Sequence, residues 1–218
     1  VDDDRAVFAE PLAAALHVLD EVETPASARA IVLGDGKLGQ LVALALLSAR
    51  VTTTLVGRHT HKLALAKKAG AEVFLEGDLP ASRGNAPLVV EATGSEAGLA
   101  SAIALVAPRG KVVLKTTVAG KVSIDLAPVV IDEVRIVGSR CGDMKRAVGA
   151  LASHLVDPRA LIEARYPLAK ADEAFAHAYR VVSLAMNNQR LAAVPMETRA
   201  VLAAPDPFSG GLVLWTST

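Results

Sequence analysis

Cysteine is nearly missing from this chain: Cys141 is the one thiol, so neither a disulfide framework nor a four-cysteine zinc knot can form. Aromatic side chains make up only 3%, too few for the stacking platform that single-stranded nucleic acid requires. Neither sign of charge is in excess, because 23 Lys and Arg are balanced by 23 Asp and Glu. Without a basic stripe there is no counterion release to drive polyanion binding, and no nucleic-acid partner is expected. No apolar run approaches the roughly 18 residues of a membrane helix, so no membrane partner is expected either. The amino terminus, Val1-Asp2-Asp3-Asp4, has no secretory leader pattern and no initiator Met, as for a chain that begins within a longer gene. The default expectation is a soluble, cytoplasmic domain.

What the chain has is apolar residues, 52% of its 218 positions, although 41 positions are alanine and add little core volume. That is enough for one domain, or one domain with an appendage. Apolar spacing predicts a leading helix over 5–22, stopped by Glu23-Thr24-Pro25. Short β-branched runs follow at 30–33, 51–56, 72–75, 88–92, 111–115 and 134–137. Helical stretches lie between several of them, at 62–69 and 96–106, and one follows the last run, at 143–155. Strands apolar on both faces and separated by helices imply a parallel sheet covered on both sides. With right-handed crossovers the expected fold is α/β, a doubly wound parallel sheet of the Rossmann type. Past Tyr179, Asn187, Asn188, Pro195, Pro205 and Pro207 interrupt any helix, and a loop and hairpin are expected there instead.

The first strand runs into Gly34-Asp35-Gly36-Lys37-Leu38-Gly39, a G-x-G-x-x-G that opens a helix. Gly34 allows the tight turn, Gly36 lets backbone approach a pyrophosphate, and Gly39 lets helix and strand pack closely. The helix start at Lys37 and Leu38 offers free N–H groups and the positive end of the dipole. Dinucleotide binding is therefore expected; a ligand-free glycine turn is the plainer alternative.

An Asp or Glu at the end of the second strand would accept the ribose 2′-OH. Here Gly57 holds that place, followed by Arg58, His59, His61 and Lys62. A small residue leaves room for a 2′-phosphate and a guanidinium can pair with it, so NADP is expected over NAD. The same residues could be no more than solvated loop charges. Thr93 and Gly94 end the fourth strand, and Lys115 and Thr116 the next. They either line the nicotinamide side or merely satisfy turns.

Metal and nucleophile signals are thin. His17, His59, His61, His154 and His177 are scattered, with no H-E-x-x-H or C-x-x-C pairing and no G-x-S-x-G elbow. His17 reads as a surface residue and Cys141 as a small turn residue.

Several motifs in their order and spacing resemble one family: Phe8-Ala9-Glu10-Pro11-Leu12-Ala13, the 34–39 loop, Lys62-Leu63-Ala64-Leu65-Ala66-Lys67 with Gly70-Ala71, Glu91-Ala92-Thr93-Gly94, and Arg109-Gly110. Residues 1 to about 178 resemble the cofactor-binding half of the zinc-type alcohol dehydrogenases, in the medium-chain dehydrogenase/reductase superfamily. The Gly138-Ser139-Arg140-Cys141-Gly142 stretch resembles a subgroup near the polyol and threonine dehydrogenases. The resemblance implies hydride transfer between a nicotinamide and a small alcohol or carbonyl, and a possible homodimer. It also implies a GroES-like zinc domain, which the notional layout lacks: leading helix 1–23, NAD(P)-binding domain 24–180, appended tail 181–218. Zinc is then expected only in a complete enzyme, and Glu10 marks a residual ligand position or simply a helix-start carboxylate.

The tail resembles something else. Residues 182–218, with Asn188-Gln189-Arg190-Leu191-Ala192-Ala193 and Leu214-Trp215-Thr216-Ser217-Thr218, resemble a short stretch of the large subunit of molybdenum hydroxylases, which include carbon monoxide and xanthine dehydrogenases. No catalytic residue is carried over from so short a match. The expected function is an NADP(H)-binding domain of an alcohol dehydrogenase-like oxidoreductase. The alternatives are a non-enzymatic nucleotide-binding module or an inactive fusion.

Overall fold

Alternation along one strand sets the layers. In β1 (Arg29–Leu33), Ala30 and Val32 join one apolar cluster while Ile31 and Leu33 join another on the opposite face. All four are buried, as a strand sandwiched between helix layers requires. The computed structural model describes residues 1–22, 28–80, 85–118, 121–177, 201–205 and 212–216. The chain divides into two units, Val1–Arg165 and Tyr166–Thr218, an earlier division than the expected one at 180.

In the first unit, β1 is followed by α3 (Lys37–Ser48), β2 (Thr52–Gly57), α4 (Thr60–Lys68), β3 (Glu72–Leu75), β4 (Ala86–Glu91), α5 (Gly98–Leu105), β5 (Val106–Leu114), α6 (Ala127–Ile131), β6 (Arg135–Gly138) and α7 (Met144–Ala152). Two short helices, α1 (Asp3–Ala6) and α2 (Ala9–Leu16), and a 3-10 turn at His17–Glu21 precede them. The six strands are parallel in the order β3-β2-β1-β4-β5-β6. This is the doubly wound sheet that the sequence predicts. The order reverses between β1 and β4, which opens a crevice at their carboxyl ends, where ligands bind in such sheets.

α2, α3 and α7 cover one face with Leu12, Leu16, Leu41, Leu46 and Leu151. α5 covers the other with Ala102 and Ile103. Each large side chain removed from water in this way stabilises the fold by roughly 1.5–3 kcal/mol. No helix among the described residues is long and apolar enough to cross a membrane.

Three local expectations are corrected. The leading helix is broken at Val7–Phe8 because Pro11, in the first turn of α2, has no N–H and its ring excludes the carbonyl four residues back. β5 begins at Val106, earlier than expected, and Arg109 within it takes a positive φ of 60°. The five-residue α6 was not anticipated; Pro128 sits in its first turn.

The second unit contains a 3-10 turn at Leu168–Lys170, α8 (Ala171–Ala176), and an antiparallel pair, β7 (Val201–Pro205) with β8 (Leu212–Thr216). Leu202 pairs with Trp215 in that hairpin. An edge strand expected over 181–184 lies outside the described residues, as do Asn187, Asn188 and Pro195.

Candidate functional site

The glycine loop sits at the switch point between β1 and β4. Gly34 has φ +112°, a conformation that L side chains rarely adopt, and a Cβ on it would lie within 2.7 Å of the Ala92 carbonyl carbon. Gly39 faces the Gly34 carbonyl so closely that a Cβ would overlap it. Gly36, by contrast, has nothing within 4 Å of where a Cβ would stand. It is the N-cap of α3 and no side chain caps that helix. The N–H groups of its first turn are thus left for an anion. Leu38 packs against the core, while the Lys37 ammonium is held on Glu163 Oε1 at 2.9 Å, both being exposed.

Beside the loop, at the end of β2, Asp35 dominates. Its Oδ2 accepts the Arg58 N–H at 2.8 Å and the His59 N–H at 2.6 Å, and lies 3.0 Å from His59 Nδ1. Burial opposes the charge, but donation from the His59 main chain and ring and from Arg58 outweighs it. The Asp35 carboxyl therefore lies below its ordinary pKa. A Cβ on Gly57 would fall on Asp35, within 2.7 Å of its Cγ and Oδ2. Any side chain at position 57 would accordingly meet the Asp35 side chain. Arg58 turns its guanidinium toward Glu76 at 3.8 Å, both well exposed. Lys62 is half-buried in α4.

Across the crevice, Glu91 is buried at the end of β4, and its Oε1 accepts the Thr93 N–H at 2.8 Å and the Thr93 hydroxyl at 2.6 Å. Gly94 N–H donates to Thr116 Oγ1 at 3.0 Å, which joins the ends of β4 and β5. Lys115 points elsewhere: its Nζ donates to Ala14 O, Ser139 Oγ and Arg140 O at 2.7, 3.1 and 2.9 Å. Burial pushes the Lys115 pKa down, against the opposing pull of Cys141 and Glu10.

The sequence of residues 38–156 matches the zinc-binding dehydrogenase family. The chain belongs to that family. Residues 154–218 match a molybdopterin cofactor-binding domain, in line with the resemblance of the tail. Among curated relatives, sorbitol dehydrogenase of Macaca fascicularis is 30% identical over 188 residues, covering 79% of this chain and 52% of that protein. L-idonate 5-dehydrogenase of Escherichia coli superposes with a TM-score of 0.73 at 23% identity, covering 80% of this chain and 53% of that one. A zinc-binding dehydrogenase of Sinorhizobium meliloti, bound to NADP, superposes at 0.65 with 25% identity, covering 70% and 49%. The chain spans about half the length of the curated relatives it matches.

For a zinc-binding dehydrogenase the metal side of this unit is sparse. Among the described residues no three His, Cys, Asp or Glu side chains gather to hold an ion. Glu10 is exposed in the first turn of α2, and His17 Nδ1 is 3.4 Å from Ser139 Oγ. Cys141 is exposed.

Asp35 is the residue to which the sequence expectations give no role and which the structure sets at the end of β2. Its signal was present as a pair: an acid inside the loop and no acid at the strand end it faces.

Proposed function

We propose that the Val1–Arg165 unit is the nicotinamide dinucleotide-binding half of an alcohol or polyol dehydrogenase. The observation that carries this is the open face over Gly36, beside an uncapped helix start at a strand switch point. The pyrophosphate would lie on the N–H groups of Lys37, Leu38 and Gly39. When bound, the nicotinamide supplies a hydride acceptor or donor at C4. The chain's own part is to hold and orient it, with Gly94 and Thr116 shaping the carboxyl edge of the sheet. In a complete enzyme the substrate, a small alcohol or carbonyl, would be held on zinc. The described residues do not fit that metal by themselves.

The reading admits either form of the cofactor. Arg58, His59 and Lys62 favour a 2′-phosphate, as the sequence expectation of NADP had it, and Asp35 opposes one. A second copy of the chain is a fitting partner at β6, an edge strand, near which Val130 and Ile131 of α6 are 75% and 77% exposed. The residues from about 181 onward are read as an appended segment of different ancestry.

Titration of the purified chain with NADH and NADPH, followed by nicotinamide fluorescence, tests the reading. Saturable binding supports it, and flat titrations with both cofactors would sink it. Added zinc with a panel of alcohols and aldehydes separates two versions. Turnover marks a self-sufficient enzyme, and binding without turnover marks a nucleotide-binding module that needs a catalytic partner.

A further inference from the structure

Asp35 combines three properties that a spacer residue does not need. Its side chain is nine-tenths buried. Its main chain and side chain are both pinned, the carbonyl by Gln40 Nε2 at 3.3 Å and Oδ2 by the turn at Arg58 and His59. Its other oxygen, Oδ1, receives no hydrogen bond among the described residues. The carboxylate also stands in the volume that the first atoms of any side chain at position 57 would fill. In sheets of this kind an acid at the end of the second strand accepts the ribose hydroxyl of the adenosine half. Here an acid reaches the strand end from the glycine loop, and glycine at position 57 leaves room for it.

We infer that Asp35 is the ribose-reading residue and selects the unphosphorylated dinucleotide, NAD(H) over NADP(H). The inference rests on the proposed dinucleotide-binding function. Oδ1 accepts a ribose hydroxyl, while Oδ2 remains committed to the 58–59 turn. A 2′-phosphate would meet the carboxylate as a like charge in a partly desolvated corner. Arg58 offers weaker compensation, because its guanidinium is largely exposed and already faces Glu76. The ionised state that this requires agrees with the lowered Asp35 pKa.

The test compares dissociation constants for NADH and NADPH in the full chain and two variants. The wild type is expected to bind NADH at least about tenfold more tightly, the worth of one charge-assisted hydrogen bond. Asp35→Asn keeps an acceptor for the two turn N–H groups but removes the charge, and should erase most of that ratio. The exchange Asp35→Gly with Gly57→Asp returns the acid to the strand end and should restore it. Far-ultraviolet circular dichroism checks that each variant is folded. Wild-type preference for NADPH, or a ratio unmoved by Asp35→Asn, would overturn the inference while dinucleotide binding stood. Binding of neither cofactor to the wild type would overturn both.

Discussion

Gly39 and Gly34 approach closely: a Cβ on the first, in the opening turn of α3, would overlap the carbonyl oxygen of the second. Helix propensity alone favours Gly39→Ala by about 1 kcal/mol. The overlap with Gly34 opposes it, and forced overpacking of this kind costs about 1–3 kcal/mol or more. The atoms that the added methyl would meet are main-chain atoms of Gly34, and no flexible side chain can yield. Gly39→Ala is therefore expected to lower the denaturant midpoint. An unchanged or raised midpoint would show that the loop relaxes freely.

Gly36 makes the opposite prediction. Its missing side chain faces open space, so Gly36→Val should leave the unfolding temperature within about 2 °C, as for a surface change of about 0.5 kcal/mol. The valine would stand where the pyrophosphate meets the backbone, so cofactor-induced melting shifts should disappear. Intact shifts in this variant would place the ligand elsewhere.

The strand–loop–helix around Gly34 was legible because its determinants are local: a β-branched run, three glycines and an apolar helix. The same holds for β3, where the apolar stretch and the strand coincide at Glu72–Leu75. The break at Val7–Phe8 was less so, since the 5–22 pattern is periodic and only Pro11 disturbs it. Asp35 was not legible from its neighbours at all. Its partners are 23 and 24 residues away, and they arrive through the pairing of Leu33 with Val56. An acid between glycines gains its meaning only when β2 lies beside β1.

Thr93 ties a buried carboxylate to its turn. Glu91 is 1% exposed, and Thr93 supplies both an N–H and a hydroxyl to its Oε1. Thr93→Val keeps the shape but removes the hydroxyl that donates to the buried Glu91 side chain and accepts the Ser95 N–H at 3.1 Å, a loss of about 1–3 kcal/mol. Thr93→Ser retains the donor and should recover most of it. Chemical denaturation of the two variants measures the difference, and equal stability of Val and wild type would mean that another donor takes over.

Asp157 gives a pH signature. The Arg159 side chain holds it from 2.5 to 3.1 Å away, which lowers its pKa from 3.8 to about 2. A carboxylate whose folded pKa is depressed stabilises the protein above its unfolded pKa, near 3.8, and that contribution fades as pH falls toward about 2. Both side chains are nearly half exposed, so solvent screening limits the contribution to about 1 kcal/mol or less. Asp157→Asn should lower stability slightly at pH 6, with the gap to wild type closing between pH 4 and 2. A gap that stayed constant across this range would assign the loss to packing.

The last prediction concerns the carboxyl-terminal segment. The contact division at Arg165–Tyr166 separates the sheet domain from a unit whose described strands are the two of the β7–β8 pair. A two-stranded hairpin is marginal in water unless something covers it. The segment between the two described parts of that unit carries Asn187, Asn188 and Pro195, residues that favour turns and oppose regular ladders. Its sequence also matches a different family from that of residues 38–156. Limited proteolysis should cut first between about 187 and 207 and leave an amino-terminal core. That core should still show a melting shift with NADH or NADPH, because Gly34, Gly36 and Asp35 all lie in the first unit. Mass spectrometry of the time course identifies the first cut. If the tail survives as long as α3, the two families of sequence share one cooperative core.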